Sequence, residues 1–240
     1  MHANPPSPAT RPQCDLLLLA IDTCGPSGSV ALGRLAGDAI EILGQIELEG
    51  RSYSATLVAA VGELLLRNNV ELSSLAAIVA VNGPGSFTGV RVGLSAVKGL
   101  AEPAQIPVVA VSRLEVLASK ASTATAALDA HRHEVFLRMS GKGLEARELL
   151  AGAAELETLN LAGVHIAVCD EAAVALLATA CPAAELVLAL APTASDALQL
   201  CASRVSAKHF VDLALLDGHY LRRSDAEIFG ELAATVPQLP

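Results

Sequence analysis

The apolar run from Leu16 to Ile21 ends at Asp22, and a turn cluster, Thr23 to Gly28, separates it from a second apolar segment, Ser29 to Leu35. That order predicts a hairpin. A third strand is expected near Ile40 to Leu48. Ser52 then stands where a helix cap belongs, before a helix whose apolar positions Leu57, Val58, Val61, Leu64 and Leu65 share one face and which ends near Asn68 and Asn69. Its neighbouring face carries Ala55, Ala59 and Gly62, small residues that let another helix approach closely. Leu75 to Val81 reads as a buried strand running into NGPGSFTGVRVG and a helix through Leu100. Pro107 to Val111 is the next strand, and Ser112 caps a helix to about Ser119. Such alternation of β and α predicts an α/β fold with parallel strand pairing.

The pattern begins again at Ala124 to Ala130, with Glu134 to Met139 as hairpin partner, a strand at Val164 to Cys169, a helix over Glu171 to Ala180 and a strand at Glu185 to Leu190. Thr193 or Ser195 is placed to cap a last helix ending near Val205. The expected organisation is a flexible tail over 1–13, a first domain over 14–112 onto which a helix at about 193–206 packs back, a smaller second domain over 113–192, and an extension over 207–240. The two halves share a loose order of elements without a short-period repeat.

Composition narrows the function classes. The 240 residues are 52% hydrophobic and 17% charged, which excludes disorder as the main state. Mean hydropathy is +0.50, yet the uncharged stretch between Glu71 and Arg91 is broken by Asn82, Gly83, Pro84 and Gly85, and a membrane span needs about 18 unbroken apolar residues. No membrane association is expected. A net charge of -9 without any basic block, and 2% aromatic residues, argue against an autonomous nucleic-acid binder. Five dispersed cysteines with no C-x-x-C pair suit a reducing cytoplasm.

Candidate chemistry concentrates in the loop after the Leu75 to Val81 strand. Gly83 and Gly85 remove Cβ atoms where backbone N–H groups converge, Ser86 or Thr88 can cap the following helix, and Arg91 lies one turn on, so an anion such as phosphate is a candidate ligand. The same residues also read as a plain strand-to-helix turn. Gly89, Gly93 and Gly99 fall inside the predicted helix, each costing on the order of 1 kcal/mol relative to Ala, which implies that something packs closely there. Asp22 with Thr23, and Asp129 in the second half, end strands in comparable ways and can either face a metal-bound nucleotide or cap their own turns. His131 and His133 have the spacing of one strand face, without a third clustered ligand.

Taken together, LLLLAIDT (Leu16 to Thr23), NGPGSFTGVRVGLSAVKGLA (Asn82 to Ala101), PVVAVSRLEVLA (Pro107 to Ala118), ALDAHRHEVF (Ala127 to Phe136) and YLRRSDAEI (Tyr220 to Ile228) resemble the bacterial TsaB (YeaZ) family. The resemblance implies an actin-like ATPase (ASKHA, ribonuclease H-like) fold, two related α/β domains with a cleft between them. It also implies a non-catalytic subunit of the machinery that makes threonylcarbamoyladenosine in tRNA. Such a subunit pairs with a related catalytic subunit, TsaD, and with the ATPase TsaE, touches tRNA only through the complex, and can form homodimers in isolation. No tightly bound cofactor is implied; ATP or ADP with magnesium belongs to the assembled complex. Carried onto this chain, the pairing surface comprises Ser54, Ala55, Val58, Ala59 and Gly62 of the first helix and Gly89, Gly93, Ala96 and Val97 of the second. The nucleotide or anion positions are Asp22, Thr23, Gly83, Gly85, Ser86, Thr88, Arg91 and Asp129. The catalytic relative holds a metal with two histidines at i and i+4 on its early helix, whereas RSYSATLVAAVGELL contains no histidine. Two alternatives stand beside this reading: an independent phosphotransferase or ATPase built on Asp22, the Gly83 to Thr88 loop and Asp129, and a self-associating structural protein.

Overall fold

The computed structural model describes residues 15–37, 39–49, 52–141 and 144–222. The tail expected over 1–13 and the end of the extension, 223–240, lie outside the described residues. Five strands form a first sheet: β1 (Leu16–Asp22), β2 (Ser27–Ala36), β3 (Ala39–Glu49), β4 (Leu75–Val81) and β5 (Val108–Val111). Their order is β3-β2-β1-β4-β5, with β1, β2 and β3 antiparallel and β1, β4 and β5 parallel. The second sheet contains β6 (Thr125–Asp129), β7 (Glu134–Gly141), β8 (Leu144–Gly152), β9 (His165–Val168) and β10 (Glu185–Leu188) in the order β10-β9-β6-β7-β8. Again three antiparallel strands are followed by two parallel ones. The two sheets therefore repeat one topology.

Both sheets are laminated by helices. α1 (Tyr53–Arg67) and α2 (Phe87–Ala104) serve the first sheet, α3 (Arg113–Lys120) and α5 (Glu171–Ala180) the second, and α4 (Ala153–Thr158) is a short turn of helix after β8. α6 (Ala194–Ser206) returns from beyond the second sheet to the first. Gly28 of β2 faces the Tyr53 ring of α1 and Gly33 faces Leu198 of α6. Positions of opposite parity on a strand point to opposite faces, so α1 and α6 sandwich β2. Covered on both faces, β1 reads as an unbroken apolar run rather than an alternating one, and Leu18, Leu19 and Ala20 are fully buried.

Capping follows the sequence in part. Ser86, Ser112 and Thr193 accept backbone N–H groups of their helices, and Asp170 caps α5. Ser52 does not cap α1; its hydroxyl donates to Glu49 O at 3.0 Å. Val58, expected on the core face of α1, is 60% exposed, while Leu57, Val61, Leu64 and Leu65 are buried. His131 and His133 are not on a strand. With Arg132 between them they form the β6–β7 turn, three successive residues at φ 59, 56 and 61. β8 and α4 have no counterpart in the sequence expectations.

Candidate functional site

The carboxyl ends of β1 and β4, the start of α2, the start of α3 and the ends of β6 and β9 converge on a cavity of about 970 Å³ between the two sheets. Asp22 does not line it but lies behind Cys24 and Arg113, which do, and is 1% exposed. Cys24 N donates to Asp22 Oδ1 at 2.8 Å, and Arg113 Nε donates to Asp22 Oδ2 at 3.3 Å. Both members of that ion pair are almost fully buried. Burial pulls the Arg113 guanidinium toward deprotonation, but the facing Asp22 outweighs it and the net direction is up. Burial, and then Asp22, push the Cys24 thiol well above its ordinary range; that thiol donates to Val81 O at 3.3 Å. The same two causes bring Tyr53 to about 12, and its hydroxyl donates to Gly25 O at 2.9 Å.

The glycine loop is packed against this pair. A Cβ on Gly85 would stand 2.1 Å from Cys24 O, and Ser86 N donates to that same carbonyl at 2.8 Å. Gly83 has φ +111, a conformation that L side chains rarely adopt, and its carbonyl accepts Arg113 N at 2.6 Å. So the loop is stitched to β1 on one side and α3 on the other. Ser86 Oγ accepts Gly89 N at 3.2 Å, Thr88 is exposed, and the Arg91 guanidinium lies 3.8 Å over the Phe87 ring. Arg91 is thus spent on an aromatic face.

Gly89 and Gly93 of α2 are explained within the chain, whereas Gly99, also expected to mark a close approach, has open space where a Cβ would stand. A Cβ on Gly89 would meet Thr23 O at 2.0 Å and one on Gly93 would meet Thr23 Oγ1 at 2.2 Å, while Thr23 Oγ1 donates to Gly89 O at 2.7 Å. Gly89, Gly93 and Val97 are buried. This corrects their expected place on an exposed pairing surface: what packs closely on α2 is the end of β1. Ala96 is half-buried. Ser54, Ala55, Val58, Ala59 and Gly62 are all exposed.

Across the cavity, Asp129 accepts His131 N through Oδ1 and faces His131 Nδ1 through Oδ2, both at 2.8 Å. Asp170 accepts Asp129 N at 3.0 Å. Of the two strand-end carboxylates only Asp129 lines the cavity, Asp22 being buried behind Cys24 and Arg113, and each is occupied: Asp22 by a cation and an amide, Asp129 by its own turn. A magnesium-bound phosphate, which the fold class implies for this cleft, does not fit Asp22, because both of its carboxylate oxygens are already bound, Oδ1 by Cys24 N and Oδ2 by Arg113 Nε. Among the described residues no group of three His, Cys, Asp or Glu side chains is placed to hold a metal. Sequence reasoning missed Arg113. Its signal was a charged residue opening a helix between two buried stretches, VVAVS and LEVLA.

A family model described as TsaD: tRNA N6-adenosine threonylcarbamoyltransferase matches residues 42–229. The chain belongs to that family. Within it, the similarity runs to TsaB and YeaZ proteins. The tRNA threonylcarbamoyladenosine biosynthesis protein TsaB of Haemophilus influenzae is 36% identical over 128 residues, 51% of this chain and 52% of that protein. The Escherichia coli protein of the same name is 34% identical over 125 residues, 50% of this chain and 52% of its own. The chain thus spans about half the length of the curated relatives it matches. The solved YeaZ structure from Pseudomonas aeruginosa is 28% identical, covers 86% of this chain and all of its own, and superposes with a TM-score of 0.69. The repeated sheet topology is accordingly that of the actin-like, ribonuclease H-like fold. Among the described residues, no helix is long and apolar enough to cross a membrane.

Proposed function

We propose that this chain is a non-catalytic, partner-activating subunit in tRNA threonylcarbamoyladenosine biosynthesis, pairing through α1 with a TsaD-like catalytic subunit. The observation that carries this is the outer face of α1. Ala55, Val58, Ala59, Gly62 and Leu66 recur at helical spacing and are exposed, Val58 at 60% and Leu66 at 78%. An added Cβ at Gly62 would meet nothing within 4 Å. A smooth apolar stripe on a helix is a surface that another helix can approach closely.

The remaining features support the same reading. α1 contains no histidine, so the metal-holding pair of the catalytic relative has no counterpart on it. The net charge of -9 leaves tRNA contact to the partner. A TsaE-like ATPase, and ATP or ADP with magnesium, enter at the level of the complex, since Asp22 of this chain is committed to Arg113. Binding of this chain favours the partner's active arrangement by its higher affinity for that state.

The deciding experiment is threonylcarbamoyl transfer to unmodified tRNA, supplied with threonylcarbamoyl-adenylate and the TsaD-like and TsaE-like proteins of the same organism, with and without this chain. Transfer that requires both this chain and the TsaD-like protein is expected. Transfer that proceeds equally without it overturns the reading.

A further inference from the structure

Over the described residues 207–222, the segment after α6 has no helix or strand beyond a single bridge, Val211 to Val108 on the edge of the first sheet. Leu216, 5% exposed, anchors it in the first core. The seven residues 216–222 then step from one sheet to the other. His219 N donates to Asn82 O at 2.7 Å on the first side, while His219 Nε2 pairs with Glu148 Oε2 at 2.9 Å on the second. Tyr220 returns to the first side, its ring centroid 4.8 Å from that of Phe87. Leu221 joins the apolar cluster of Leu128, Phe136 and Cys169 in the second half. Arg222 pairs with Glu134 and donates to His131 O at 3.3 Å.

His219, Tyr220, Leu221 and Arg222 also line the cavity between the sheets, as does Cys169. Apart from Leu221, which packs on the second core, the side chains that anchor the segment beyond Leu216 are partly open to solvent. The His219 side chain is 39% exposed, Tyr220 is 37% exposed, and the ion pairs are open to water on one side. Segments held by few buried apolar contacts open locally at far smaller free energy than the core. Gly218 is where such a segment turns: a Cβ there would stand 2.5 Å from the Tyr220 ring, so the ring folds back on the chain only because position 218 is bare.

We propose that residues 216–222 are a displaceable clasp that closes the cavity between the two sheets, swinging out from Leu216 while the sheets stay folded. Whatever enters the cavity must first lift Tyr220 from Phe87 and Arg222 from Glu134, and the same movement frees His219 from Glu148. Opening of the cavity and release of a link between the two halves are then one event.

Cys169 reports the opening. In the full-length chain its reaction with a bulky fluorescein maleimide is followed by peptide-resolved mass spectrometry, with buried Cys181 and Cys201 as internal controls. Gly218→Ala pushes only the outer end of the Tyr220 ring, and Arg222→Ala removes the ion pair with Glu134 and the hydrogen bond to His131 O. Each is expected to speed labelling of Cys169 about tenfold, with Cys181 and Cys201 unchanged. Unchanged Cys169 labelling in both variants overturns the proposal. So does a parallel rise at all three cysteines, which would make the segment an integral part of the fold.

Discussion

Arg113 reaches Asp22 across 91 positions of sequence, its Nε 3.3 Å from Oδ2, and the pair is shut away from solvent. It joins the first strand of one sheet to the first helix of the other. Removing one partner of a buried pair leaves an uncompensated charge, which costs more than the pair itself contributes. Arg113→Met is expected to lower stability by about 3–5 kcal/mol, with roughly a 10 °C fall in Tm. Asp22→Asn combined with Arg113→Met should recover part of that loss. Thermal and urea unfolding of the two variants check the sign of the difference.

Two glycines of the same helix are expected to respond in opposite directions. Gly93→Ala drives a methyl into Thr23, 2.2 Å from Oγ1, and overpacking of that kind costs about 1–3 kcal/mol even against the helix propensity gained. Gly99→Ala meets nothing within 4 Å and should stabilise by about 0.5–1 kcal/mol. Urea midpoints of the two single variants test this directly.

On α1, Ala59→Glu places a charge in the middle of the exposed stripe. The chain should keep its stability within about 0.5 kcal/mol. Its affinity for the TsaD-like subunit, measured by sedimentation or calorimetry, should fall at least about tenfold, the scale of losing one close apolar contact in an interface. Native affinity in a folded Ala59→Glu chain counts against pairing through α1.

Glu148 supplies a pH dependence. Burial raises its pKa, but hydrogen bonds from His219, Ser112 and Arg138 outweigh burial, and the net direction is down from 4.5. A carboxylate whose folded pKa is depressed contributes stability that is present above its unfolded pKa and lost as pH falls through the folded one. Glu148→Gln should therefore cost stability at pH 7, with the difference from the native chain shrinking as the pH is taken below about 4.5. A difference constant from pH 7 down to pH 3 would contradict the assignment. These pH points follow the range over which carboxylates titrate.

Much of this architecture was readable in the chain because local periodicity carries it. The doubly buried β1 and β4, the capped start of α2 and the span of α5 follow from apolar runs, glycine placement and capping residues that act within a few positions. β8 escaped because it is a sheet edge: LEARELLAG lacks strict alternation, and its strand character comes from pairing with β7 rather than from its own pattern. The His131-Arg132-His133 turn escaped because three left-handed residues without glycine give no compositional sign. The candidate site was half legible. Asp129 and the glycine loop meet at one cavity, whereas Asp22 is buried behind it, because the cation that neutralises Asp22 lies 91 positions away and no local rule reaches that far. Gly89 and Gly93 signalled close packing correctly and Gly99 did not, and only the folded chain identifies Thr23 as what lies against the first two.

Of the described helices and strands α6 is made last, and it belongs to the first core. Ala197, Leu198, Cys201 and Val205 are buried there, beneath strands completed at Val111. On the ribosome the face of the first sheet that α6 covers stays bare while roughly 80 further residues are added, which takes on the order of 4–16 s at about 5–20 residues per second. The nascent chain therefore carries an open apolar sheet through that interval, and its early half becomes protease-resistant only after the later half has emerged.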